Sequence, residues 1–376
     1  MDSSAEKEFN QEEAETQQTK CTDCGGLLNF KPGTKHLKCV YCGAENLIEG
    51  SEEVIEEIDY EQFINEKYAL EEKQEITTVK CNSCGASTTL KPNIAADSCP
   101  FCDTPLVLSS GSTSTQLKPK GVLPFKIDQN TAVAAFKRWV RKLWFAPSKL
   151  KQYANNFEKL AGIYIPYWTF DSNTTTPYSG MRGTYYYVTE SYTTTENGRS
   201  VTKTRQVRKI RWTPCSGTVY NTFDDVLVLA SNSLPRKYTE RLEPWDLPNL
   251  EPFNENYLSG FKSETYQVDL PTGFGMAKEI MKKTITATIK RDIGGDEQRI
   301  LSMSPDFRDV TFKHILLPIW VSAYRFKEKV YRFMVNARTG EVQGERPWSW
   351  IKITLTVLAG LIIIGGIIYL IHEYNK

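Results

Sequence analysis

Eight cysteines in four Cys-x-x-Cys pairs are the residues of this chain whose type and spacing imply chemistry most directly. They are Cys21, Cys24, Cys39 and Cys42, followed by Cys81, Cys84, Cys99 and Cys102. The second set repeats the first 60 positions later, and Lys31-Pro32 and Gly25 recur at the same offset as Lys91-Pro92 and Gly85. Such self-similarity is an internal repeat. Two thiolates two residues apart can reach one metal while the amides of the intervening turn point at the sulfurs. The residue after the second cysteine must often turn sharply, which suits Gly25, Gly43 and Gly85, and also Asp103. The residues between the two pairs of each set suffice for a short hairpin, so each set predicts a four-cysteine zinc ribbon.

The metal reading has consequences. About thirty residues bury too little to fold alone, so two structural zinc ions would supply the folding energy. A closed four-thiolate shell leaves no position for an activated water, so the sites are structural, not catalytic. The competing readings use the same sulfurs. Disulfides need an oxidising compartment, and redox-active pairs need a βαβ setting that the flanking sequence lacks. A rubredoxin-like iron site matches Cys99-Pro-Phe-Cys102 but not its partners. The ninth cysteine, Cys215, reads as a buried structural residue.

The surrounding elements must position these sets. Residues 1–20 are polar and acidic, read as disordered, and show no apolar core of a secretory signal. Ribbon 1 is expected over 21–50 and ribbon 2 over 81–110. Between them, Glu49 to Glu75 holds eleven carboxylates and two lysines, and Asp59 with Gln62 resembles a capping box, which predicts an acidic linker helix within 51–80. Gly111-Ser-Thr-Ser-Thr115 predicts a flexible linker over 111–117. Residues 118–350 then read as an α+β body in which a helix followed by β-rich stretches occurs twice.

Within that body, helices are expected at 128–143, 148–159 and 272–290, the last stopped at Gly294-Gly295. Asn197-Gly198 predicts a hairpin turn. Pro166/Trp168 echo Pro318/Trp320, as two tandem units would require. Val335 to Val342 resembles the strand, turn and strand ending of PepSY and cystatin-like domains. Ile353 to Ile371 is 19 residues without a charge, which predicts a transmembrane helix at 351–371 and a short tail at 372–376.

Net charge of +1 conceals an asymmetry: residues 1–117 carry 21 acidic and 9 basic side chains, the remainder 24 and 37. Nucleic-acid affinity rests on phosphate neutralisation by Lys and Arg, so acidic ribbons favour a protein partner instead. The stretch Lys203 to Arg211 could hold phosphates or an anionic leaflet, but its simplest reading is a solvated strand face. No phosphate-cradling loop, dinucleotide fingerprint, HExxH or GxSxG occurs. Asp292-Ile-Gly-Gly-Asp-Glu-Gln-Arg299 reads as a helix cap and turn, with a ligand loop formed by Gly-Gly between carboxylates as the alternative, and none of His36, His314 and His372 has a catalytic partner in its own neighbourhood.

The strings Trp144-Phe-Ala-Pro147, Ile165-Pro-Tyr-Trp-Thr-Phe-Asp171, Phe223-Asp-Asp-Val-Leu-Val228, Leu242-Glu-Pro-Trp-Asp-Leu247 and Gly344-Glu-Arg-Pro-Trp-Ser-Trp350 resemble a bacterial family of TFIIB-type zinc-ribbon membrane proteins. Members are often labelled primosomal protein N′, the replication-restart helicase. The resemblance implies zinc ligation by the cysteines and no settled activity, and the missing nucleotide loop argues against a helicase. The resulting expectation is a non-enzymatic adaptor, anchored in the cell membrane by its C-terminus with its body in the cytoplasm. Its acidic ribbons would recruit a protein partner. The alternatives are a membrane-tethered nucleic-acid-binding factor of replication or transcription, and a hydrolase working from the β-rich body.

Overall fold

A computed structural model describes residues 20–50, 54–65, 73–82, 86–89, 96–99, 101, 104–107, 111–155, 160–196, 199–326 and 329–374. In the N-terminal region β1 (Leu28–Phe30), β2 (His36–Cys39) and β3 (Glu45–Leu47) form one antiparallel sheet. They are followed by β4 (Ile58–Asp59), α1 (Tyr60–Asn65), β5 (Lys73–Lys80), β6 (Ser87–Thr89), β7 (Ala96–Ser98), β8 (Pro105–Val107) and β9 (Gly111–Leu117). The pairing of β2 with β3, His36↔Leu47 to Lys38↔Glu45, recurs between β7 and β8 as Ala96↔Val107 to Ser98↔Pro105. Backbone register therefore follows the 60-residue cysteine offset.

Two linker expectations differ from the structure. Residues 73–80 of the expected helical span form strand β5, and among the described residues the acidic segment forms the short helix α1, capped by Asp59, whose Oδ1 accepts the Gln62 N–H at 2.8 Å. Its single turn holds because Tyr60 packs on Phe274 and Phe63 on Phe312. Residues 111–117 form strand β9, paired with β5 from Lys73↔Leu117 to Val79↔Gly111. The Thr and Ser residues that suit a linker also suit a pleated surface once a partner strand rich in Ile, Thr and Val lies alongside.

The body contains β10 (Gly121–Val122), α2 (Gln129–Lys142), α3 (Ser148–Asn155), β11 (Ala161–Glu196), β12 (Arg199–Leu229), α4 (Arg236–Thr239), β13 (Glu251–Pro252), β14 (Lys262–Ser263), α5 (Leu270–Ile293), β15 (Glu297–Met303), β16 (Asp306–Phe326), β17 (Lys329–Asn336) and β18 (Val342–Gly344). One mixed sheet runs β12-β11-β16-β10-β13, with β15 and β14 also on β11, and β17 on β16. Asp128 caps α2 and Asp269 caps α5, each accepting an N–H three residues on at 2.8 Å. Ala277, Met281, Ile285, Ile289 and Ile293 bury one stripe of α5. The turn at Asn197-Gly198 lies outside the described residues, although Glu196↔Arg199 pairing leaves two residues to make it.

The two halves of the body are built alike and exchange their helical arms. β10 runs parallel to β16 at Gly121↔Ile315, and β14 runs parallel to β11 at Lys262↔Ile163. Ala337 donates to Pro318 and accepts from Lys126 and Ile127; Ala230 donates to Pro166 and accepts from Gln267 and Val268. Trp320 Nε1 donates to Ile127 O, and Trp168 Nε1 to Val268 O, both at 2.9 Å. The β–α arm that precedes one long strand thus docks on the long strand of the other half.

β11 and β12 remain paired to Glu196↔Arg199, whereas β16 accompanies β11 only to Thr175↔Asp306 and β15 only to Gly183↔Glu297. Beyond that point a two-stranded ribbon projects for roughly 40 Å at about 3.3 Å per residue. The last helix, α6 (Trp350–Tyr374), begins at the other end of the sheet. Ser349 N–H donates to Phe145 O and Lys352 Nζ to Ala146 O, both at 2.8 Å, next to the α2–α3 junction. With mean hydropathy 2.5 over its most apolar 18 residues, none of them buried by the described residues, α6 is long and apolar enough to cross a membrane.

Candidate metal centre

Cys21 and Cys24 flank one tight turn and Cys39 and Cys42 another. In the first, Cys21 N–H donates to Gly26 O and Gly25 N–H to Cys21 O; in the second, Cys39 N–H donates to Ala44 O and Gly43 N–H to Cys39 O. Gly25 and Gly43 have φ of 70° and 76° with open space where a Cβ would stand, so their backbone conformation, not crowding, demands glycine. Gly26 differs: a Cβ there would lie 3.2 Å from Cys24 Sγ and 3.3 Å from Cys39 Sγ. The sequence reading did not single out that residue.

The four sulfurs lie within 4.8 Å of one another, with Cys21–Cys42 at 3.6 Å and Cys24–Cys39 at 3.5 Å. A tetrahedral zinc with bonds of about 2.3 Å separates its sulfurs by about 3.8 Å, so the donor set fits the ion in number, kind and spacing. None of the four is in a disulfide. Backbone N–H groups of Cys42 and Tyr41 aimed at its sulfur lower the Cys39 thiol to about 6. The Ala44 N–H also favours a thiolate at Cys42, but the neighbouring Cys24 and Cys39 sulfurs and burial push it up to about 12. Four sulfurs cannot all ionise in one another's company without a cation between them.

In the second set the same knuckle bonds recur, Cys81 N–H to Ala86 O at 2.8 Å and Cys99 N–H to Thr104 O at 2.9 Å, and both cysteines are buried. Cys84 and Cys102 lie outside the described residues.

The first cluster is built into the body. Phe30 N–H donates to Ser259 O, Ser259 Oγ donates to Leu28 O, and Gly33 N–H donates to Phe125 O. Cys21, Leu28, Phe30 and Leu37 share one core with Phe125, Tyr164 and Phe136. Cys81, Ala86, Cys99 and Phe101 share another with Ile163, Tyr167 and Ile315. The cysteine modules are therefore packed against opposite faces of the body's sheet, where Ile163 and Ile315 alternate with Tyr164 and Leu316.

The other sequence candidates serve the fold. Cys215 packs at the margin of the α5 core. His314 is buried with Nδ1 3.0 Å from Leu117 O, and burial holds it down to about 4, so it is neutral at pH 7. Gly294 and Gly295 take φ of 64° and 76° after α5, and Asp296 Oδ2 then accepts the Tyr185 N–H at 2.7 Å, pinning this turn to the base of the projecting ribbon.

One polar cluster had no sequence signal. A bulge in β11 at Asp171 brings its carboxylate to Glu57, Asp224 and Asp225, with Lys313 bridging Glu57 at 3.0 Å and Asp225 at 2.9 Å. Burial, then the Glu57 carboxylate, raises Asp171 to about 6. Glu57 falls to about 2: burial opposes its ionisation, but hydrogen bonds from Asp171, Thr311 and Lys313 outweigh it.

No family model matches the chain. It is 26% identical over 331 residues to the uncharacterized protein YdjG of Bacillus subtilis (strain 168), a match covering 88% of this chain and 90% of that protein.

Proposed function

We propose that the chain is a non-catalytic adaptor of the TFIIB-type zinc-ribbon membrane kind, which carries two structural zinc ions and recruits a protein partner at the cytoplasmic face of the cell membrane. The carrying observation is the junction at Phe145 and Ala146. There the uncovered α6 is clamped to a rigid body whose cysteine modules are part of its core. Such a body holds a partner at fixed height above a bilayer. The closed thiolate shell supports a structural role for the metal, and the 60-residue repeat of register supports a second ion at Cys81, Cys84, Cys99 and Cys102.

The test is crosslinking and affinity purification of the intact protein from membranes, with ATPase and DNA-binding assays on the same preparation. Stoichiometric co-purification of membrane or envelope proteins, without nucleotide turnover, is the expected result. Polymerase or ribosomal subunits, or zinc-dependent DNA binding at physiological salt, would replace this reading with a nucleic-acid factor.

A further inference from the structure

The projecting ribbon sorts its side chains sharply. Successive strand residues face opposite sides, so Arg199, Lys203, Arg205, Lys209 and Arg211 of β12 all share one face with Tyr186, Val188, Glu190 and Tyr192 of β11. The other face carries Arg208 among Thr202, Thr204, Gln206 and Ile210. Five cations at alternate positions, about 6.7 Å apart where consecutive, thus form one stripe on a ribbon that no third strand accompanies beyond Gly183 among the described residues, its base being held by Tyr185 to Asp296 and Glu297. This is more than a solvated strand, whose charges would have no reason to segregate.

We infer that this stripe docks an extended acidic segment of another protein, with carboxylates at alternate positions matching its period of two. The inference rests on the adaptor reading and names the chemistry of the recruited partner. Glu190 stands in the middle of the stripe, paired with Lys209 at 3.0 Å and Arg205 at 3.7 Å, so an incoming anion of either class competes with it there. Two observations favour a protein over a polyphosphate. Arg205 and Arg211 lie over the rings of Tyr192 and Tyr186, so those ring faces are not offered to bases. Tyr and Arg, which recur along this face, are residues enriched at protein interfaces. A lipid surface is disfavoured by direction, because the ribbon leaves the sheet at the end away from α6.

The experiment uses full-length protein in nanodiscs of uncharged lipid and the variant Lys203→Glu/Arg205→Glu/Lys209→Glu. Four probes are compared: a twelve-residue peptide alternating Glu with Val and Tyr, a duplex and a single-stranded DNA of similar charge, and vesicles with 30% anionic lipid. The expected result is peptide binding at physiological salt that falls at least tenfold in the variant, with both DNAs at least tenfold weaker. Tighter DNA binding that the variant abolishes, a response to vesicles alone, or no difference between wild type and variant would each overturn it. Circular dichroism and zinc content of the variant guard against misfolding, and Arg208→Glu on the opposite face controls for net charge. If partners still co-purify from membranes with the variant, the ribbon assignment fails while the adaptor reading stands. If none co-purify with the wild type, the adaptor reading fails.

Discussion

Trp168 and Trp320 make one hydrogen bond in opposite directions: each indole N–H reaches the carbonyl just before the capping aspartate of the other half's helix, Val268 for Trp168 and Ile127 for Trp320. Each helix is therefore aimed by a side chain of the half it did not come from. Neither half can bury its helix without the other, so the body should unfold as one unit.

Replacing either tryptophan with phenylalanine leaves a buried carbonyl without its donor. A loss of about 1–3 kcal/mol is expected for each, of similar size because the settings are equivalent. Denaturant unfolding followed by both circular dichroism and fluorescence should shift as a single transition. Two separated transitions in either variant would show that the halves are independent.

How much of this was visible beforehand depended on whether the determinant was local. The knuckles were legible because spacing and glycine decide them within six residues, α2 because its apolar stripe follows Asp128, and the end of α5 because Gly294 stops it, whereas its cap Asp269, ahead of the expected start at Thr272, was not singled out. The Pro-x-Trp echo was legible too. Its meaning was not, since the partner of each tryptophan lies on an element far along the chain. Residues 111–117 were misread for the same reason: Gly and Ser say linker until β5 is alongside. The Asp171 cluster depends on a bulge, which shifts register by one residue and leaves no periodic trace.

The zinc reading predicts two ions per chain. Cys24→Ser with Cys39→Ser should remove one and leave the second set loaded, because the first four sulfurs converge on one point without help from the others. Since Phe30 and Leu37 belong to the body's core, the variant should also lower the melting temperature of the body and open residues 21–50 to protease. Metal analysis with limited proteolysis checks both. An unchanged body would mean that the module is only tethered.

The Asp171–Glu57 pair predicts a pH dependence with a definite sign. Glu57, lowered to about 2, contributes stability that is complete above the ordinary carboxylate range near 4.5 and lost as pH falls through about 2. Asp171, raised to about 6, contributes stability that is complete below 3.8 and lost as pH rises through about 6. The pair thus holds β4 to β16 best near pH 4, and its contribution declines between pH 4 and 6.5. Asp171→Asn keeps a donor toward Glu57 at every pH. Melting temperatures of the two proteins between pH 4 and 7.5 should therefore diverge over that window, the wild type losing ground as pH rises. A difference independent of pH would exclude the shared proton.

The anchor prediction concerns α6 and its seat. At about 1.5 Å per residue its 25 residues are roughly 37 Å long, enough for the ~30 Å hydrocarbon core and part of one interface. Trp348 and Trp350 lie at the body end, Tyr369 and Tyr374 at the far end, all exposed as interfacial anchors require. Arg346 lies over the Trp348 ring at 4.3 Å, and Lys352 is held to Ala146, placing positive charge on the body side. On the adaptor reading the body lies on the cytoplasmic side, because thiolates able to bind zinc require the reducing compartment. Truncation after Arg346 should release the protein from the membrane fraction with its zinc intact. In intact cells an impermeant thiol reagent should leave Cys24 and Cys42 unlabelled, while a tag placed after Lys376 should be reachable from outside. A truncated protein that stays firmly in the membrane, or labelled ribbon cysteines, would refute this topology.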